Sequence, residues 1–140
     1  MLTPVLLSEY LCEYDIQWAV EMPENCPPEE VLVADNHEFF RLVRKADAYD
    51  ETDFLSYSQL NPDKDWGEML PLAVGLSLFD NEQKMRKRAK LPFFKQFQGA
   101  VRMFLNPNDG VEKQTGVHKS HYTWWRTTDF DMSNLQLLVL

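Results

Sequence analysis

Two cysteines, five glycines and no long apolar run are what this 140-residue chain offers least of. So few cysteines exclude a disulfide scaffold. Cys12 and Cys26 lack C-x-x-C spacing, and no second Cys/His pair completes a zinc site. Both are therefore read as reduced, buried structural thiols, and no metal is expected. The scarcity of glycine goes with the absence of a glycine-rich phosphate loop, and neither a G-x-S-x-G elbow nor an H-E-x-x-H helix occurs. Nothing approaches the roughly 18–20 apolar residues of a membrane span. Met1 to Asp15 has no basic residue before its short apolar run, which Pro4, Ser8 and Glu9 interrupt, so it makes a poor signal peptide. The expectation is a cytoplasmic protein with no membrane partner.

Hydrophobic content of 44% and aromatic content of 13% mark a globular chain rather than a disordered one. At this length a single domain, 1–140, with one core is expected. The net charge of −8 hides a division. Residues 1–80 carry 17 acidic and 4 basic side chains, whereas residues 81–126 carry 3 acidic and 10 basic ones. Either the two halves fold together and pair their charges, or one basic face stays open to an anion. The acidity of the first half argues against a nucleic-acid partner, because it repels a polyanion.

Apolar residues at Leu6, Leu7, Tyr10, Leu11 and Tyr14 have helical spacing, which predicts a helix within Leu6 to Val20. Pro23, Pro27 and Pro28 then break the chain. Residues 1–34 are read as a helical, proline-containing segment packed on a core of 35–140. Phe39 to Val43 reads as a strand, with Arg41 between apolar neighbours and needing a partner if buried. Thr52 or Asp53 is expected to cap a short helix. Ala73 to Phe79 reads as a strand, followed by Asp80 as N-cap with Gln83 in capping-box position. The helix it opens should end before Pro92. Ala100 to Leu105, Val111 to Arg126 around a turn near Gly116, and a buried Leu135 to Leu140 supply the remaining strands. Short turns between late strands predict an antiparallel sheet flanked by a few short helices, an α+β fold.

The densest chemistry lies in His118 to Arg126, which holds two histidines, a tyrosine and adjacent tryptophans. In an extended chain His118 and His121 face opposite ways and share no metal. His121 with Thr123 on one face suits phosphate binding or proton placement, or else a hydrogen bond across the sheet. Trp124 and Trp125 face opposite sides, one to anchor the core and the other to line a cleft or meet a partner. Lys84, Arg86, Lys87, Arg88 and Lys90 form a basic patch on a helix whose buried side is Met85 and Ala89.

The ordered series Cys26-Pro27-Pro28, Phe39-Phe40-Arg41-Leu42-Val43, Asp53-Phe54-Leu55-Ser56-Tyr57, Gly75-Leu76-Ser77-Leu78-Phe79, Gly116 and His121-Tyr122-Thr123-Trp124-Trp125 resembles a family of small uncharacterised bacterial proteins over residues 26–126. That resemblance implies no activity. A fainter similarity is to ADP-ribosyltransferase-like folds. It implies NAD as cofactor, Arg41 near a phosphate or ribose, Ser77 supporting a nicotinamide pocket, and His121 or Tyr122 lining it. The glutamate such enzymes place near their last strands is missing, since Glu112 is the last one and only Asp129 and Asp131 follow. The expected function is a module that binds a protein partner or a small anion, with a nucleotide or phosphoester enzyme as the alternative.

Overall fold

A computed structural model describes residues 1–140 as one domain built on a curled, wholly antiparallel sheet of eight strands. The strands are β1 (Leu2–Leu6), β2 (Glu30–Ala34), β3 (His37–Val43), β4 (Leu76–Phe79), β5 (Gly99–Leu105), β6 (Gly110–Gln114), β7 (His121–Arg126) and β8 (Gln136–Val139). Their order is β1-β2-β6-β7-β4-β3-β5-β8. Four short α-helices flank the sheet: α1 (Leu7–Glu13), α2 (Tyr57–Leu60), α3 (Leu70–Ala73) and α4 (Glu82–Ala89). No helix is long and apolar enough to cross a membrane.

Strand alternation sorts the core into layers. On one face Phe39, Val43, Leu76, Leu78, Val101, Met103, Tyr122 and Trp124 form the largest cluster. The opposite face is covered in two places. Phe40, Leu42, Phe79 and Ala100 pack under Met85 of α4. Val31, Val33, Val111 and Trp125 pack under Tyr10 of α1. A strand buried on both faces accepts apolar residues at every position, which is why β3 and β7 hold bulky groups in succession. Gly110 opens β6 at φ 125°, and a Cβ there would overlap the Trp125 carbonyl oxygen.

Several local expectations shift by a few residues, each for a tertiary reason. Residues 1–34 are not a helical segment laid on a separate core, since they supply β1 and β2 of the sheet itself. The first helix ends at Glu13, because beyond it Trp18 bridges to Thr127 and the Ala19 amide donates to the Arg126 carbonyl. The first half of the expected Ala73 to Phe79 strand belongs to α3 and its C-terminal turn. The cap of α4 is Asn81, whose side chain accepts from the Lys84 amide at 2.9 Å. Asp80 is still held in the sheet, its amide donating to the Ser120 carbonyl. Asp50 and Ser56, rather than Thr52 or Asp53, cap the turns at 51–54 and 57–60. The last strand, β8, is an edge, and its Val139 is 66% exposed because only β5 pairs with it.

Cys26 is buried and Cys12 is exposed, so only one of the two is the buried thiol expected. Burial pushes the Cys26 thiol up to about 11. The thiolate is the reactive form. A thiol-specific reagent should therefore label Cys12 alone in the folded protein at neutral pH, and both cysteines after unfolding. Rapid labelling of both in the folded state would contradict this burial.

Candidate anion-binding cavity

The site begins where two strands part. β3 and β4 pair at one position only, Phe40 opposite Phe79. Continuing that register would set Leu42 against Ser77 and Arg44 against Gly75. These four residues instead line a cavity of about 250 Å³. One wall comes from the segment 52–60, which carries Leu55, Tyr57 and Leu60. The capping box of Ser56 and Gln59 fixes that wall, each side chain bonding the other residue's backbone amide. Arg88 of α4, Phe94 and Phe97 form the other wall, and His121 of β7 completes it.

Arg41 occupies the fork. Its Nε donates to the Asp53 carbonyl at 2.8 Å and its Nη1 to the Ser77 carbonyl at 2.9 Å. Its Cζ lies 5.9 Å from the Phe54 ring centroid. A guanidinium has five N–H donors, so three are left without a protein acceptor. No carboxylate pairs with it, the ion pairs of this protein being Arg86–Glu82, Arg102–Glu38 and Arg102–Glu82. Burial holds Arg41 below the usual arginine range, at about 10, although Tyr57 and Asp53 act in the opposite sense. It is still a full cation at neutral pH. Asp53 is the one carboxylate lining the cavity. Both its oxygens are occupied, Oδ1 by the Arg44 amide and Oδ2 by the Asp50 amide.

His121 is oriented from behind. Its Nδ1 lies 3.0 Å from the Thr115 carbonyl oxygen. A carbonyl only accepts, so Nδ1 carries the proton and Nε2 of the neutral ring is an acceptor. Burial lowers the pKa of His121, the Thr115 bond opposes that, and Arg88 and His118 lower it further. The Thr115 hydroxyl lies 3.2 Å from the same Nδ1 and 2.7 Å from the Thr123 hydroxyl. Thr123 is thus committed inside the sheet, the cross-sheet bond being the arrangement found.

Of the residues singled out by sequence, Arg41, Ser77 and His121 meet at the cavity, whereas Tyr122, Thr123, Trp124 and Trp125 do not. Both tryptophans are core residues, so neither lines a cleft. Trp124 donates to the Asp109 carbonyl and Trp125 to the Pro71 carbonyl, both at 2.9 Å. The reason is that β7 lies inside the sheet with both faces covered. In the basic patch, Lys84, Lys87 and Lys90 are exposed. Arg86 is tied to Glu82 and to the Val139 carbonyl. Arg88 turns to the cavity, donating to His118 Nε2 at 2.9 Å and stacking over Phe94. Arg44 is the cation that sequence reasoning passed over. Its signal was its place just past the end of β3, two residues after Leu42.

One ion pair, Arg102–Glu38, joins the acidic first half to the basic second half. The charge division therefore persists in the fold. No group of three His, Cys, Asp or Glu side chains converges to hold a metal. Asp129 and Asp131 do not line the cavity. No protein-family model, no curated protein and no solved structure matches the chain.

Proposed function

We propose that the protein binds a small anion, a carboxylate or phosphate, in the fork between β3 and β4. The observation that carries this is Arg41, a half-buried guanidinium with three free donors and no carboxylate partner. A buried charge normally keeps a paired counter-charge, because desolvating it alone is costly. Here an anion from outside supplies that pairing. Arg44 and Arg88 add positive potential, and His121 Nε2 offers an acceptor to a protonated oxygen or nitrogen on the ligand. Phe79, Phe94 and Phe97 suit an apolar body behind the anionic head.

The volume supports something small. The cavity measures about 250 Å³. It falls just below the roughly 300–1,000 Å³ of ordinary ligand sites. The ADP-ribosyltransferase-like alternative lacks a free carboxylate in the cavity, since Asp53 there has both oxygens occupied.

Thermal unfolding with phosphate, acetate, benzoate and NAD tests the reading. A ligand at 100 times its Kd adds about 2.7 kcal/mol, several degrees for a domain of this size. Phosphate or a carboxylate should raise Tm in the native protein and leave Tm unchanged in Arg41→Gln. A rise with NAD that exceeds the rise with phosphate would favour the nucleotide alternative. No rise with any of them refutes the cavity as an anion site.

A further inference from the structure

The cavity does not stand in a neutral surface. Residues 83–108 contain seven basic side chains and no carboxylate. Lys84, Lys87, Lys90 and Lys95 are exposed among them. Two apolar side chains also stand out at this place. Phe93 is 87% exposed and Val117 is 94% exposed. Phe93 follows directly on Pro92 and precedes Phe94, which lines the cavity. Val117 precedes His118, whose ring accepts from Arg88 at the cavity wall. Two separate loops thus carry an exposed apolar side chain next in sequence to a residue that lines the cavity or bonds its wall.

We infer that the anion entering the cavity belongs to an acidic peptide segment of another protein, with a glutamate or aspartate side chain as its head. The inference rests on the anion-binding reading above and names the ligand class for it. A free inorganic anion makes no use of Phe93 or Val117. A peptide does: a carboxylate enters the fork to meet Arg41, a neighbouring apolar residue covers Phe93 or Val117, and further carboxylates meet the lysines of α4. The cavity volume fits a single side chain. Charge complementarity selects an acidic partner, since Arg41, Arg44 and Arg88 line the cavity against the single carboxylate of Asp53, and exposed lysines stand on the helix that carries Arg88. Fully burying a phenylalanine side chain contributes about 1.5–3 kcal/mol, which is about tenfold or more in affinity.

The test compares acetate with two acetylated, amidated pentapeptides by calorimetry, one alternating glutamate with phenylalanine and the other alternating lysine with phenylalanine. The glutamate peptide should bind about tenfold tighter than acetate or better, and the lysine peptide not at all. Added salt should weaken the glutamate peptide. Phe93→Ala and Val117→Ser, changes at exposed positions that leave the core intact, should remove the peptide's advantage and leave acetate binding as it was. Arg41→Gln should weaken both ligands. If acetate binds as tightly as the glutamate peptide, or the rim variants change nothing, the peptide inference fails while the anion cavity stands. If neither binds, the cavity reading itself fails. Binding to phosphatidylserine vesicles but not to the glutamate peptide would assign the rim to a membrane surface and overturn the inference.

Discussion

Trp124→Ala should lower the free energy of unfolding by about 4 kcal/mol, within the roughly 3–5 kcal/mol typical of deleting a buried aromatic. The indole is fully buried in the main cluster, edge-on to Phe130 at 4.8 Å between centroids. Alanine leaves a cavity among β4, β6 and β7 that the sheet is too constrained to close. It also removes one of the two donors to the Asp109 carbonyl, leaving the Thr127 amide at 3.2 Å. Trp124→Phe separates the two effects, since it retains most of the packing and loses only the donor, at about 1–2 kcal/mol. Urea midpoints read both. Because the side chain does not itself line the cavity, Trp124→Phe should bind acetate like the native protein. A loss below 1 kcal/mol for the alanine variant would remove Trp124 from the core and reopen its role as a contact residue.

Glu112→Gln should stabilise the protein at neutral pH and above. Glu112 lies on β6, opposite Leu32 of β2 and Trp124 of β7. It is fully buried, and neither carboxylate oxygen has a hydrogen-bond partner. Burial raises its pKa well above 4.5, and the charge of nearby Asp109 adds to the rise. Burial also raises Asp109, against a backbone bond from Asn106. The Tyr10 hydroxyl nearby does not help, because it donates to the Pro107 carbonyl.

The sign of the pH dependence follows. The native state holds the Glu112 proton above pH 4.5, where the unfolded chain has released it, so stability falls as pH rises. The penalty grows by about 1.4 kcal/mol per pH unit above 4.5 until the native carboxyl also ionises. At pH 7 it is at most about 3–4 kcal/mol. The glutamine variant should match the native protein near pH 4, exceed it at pH 7, and show a flatter profile between. Equal stability at both pH values would mean the carboxyl finds compensation in the fold. Glu112 does not line the anion cavity, so this cost serves no part of that site.

The limits of sequence reading show at particular residues. The strand at Phe39 to Val43 was legible from its alternation, the end of α4 from Pro92, and the hairpin between β6 and β7 from Gly116. Arg41 was identifiable as a cation on a half-apolar strand, so the need for a partner was visible, although the identity of that partner was not. The tryptophans were misjudged for one reason. Alternation tells that two neighbours face opposite ways, but not whether both faces are covered. α1 covers one face of β7 and the segment around Phe130 the other.

Local chemistry alone determined the alternation of β3, the end of α4 before Pro92 and the division of charge along the chain, because each depends on residues close together in the chain. Tertiary structure decided the cavity. Arg41 and Ser77 lie 36 residues apart, and they meet because β3 and β4 hold together at one pair and then separate. Where strands part, backbone carbonyls lose their ladder partners, and a long cation fills the gap more readily than an apolar side chain. No pattern within either strand encodes that parting, since it follows from how β3 pairs with β5 and β4 pairs with β7 on their outer sides.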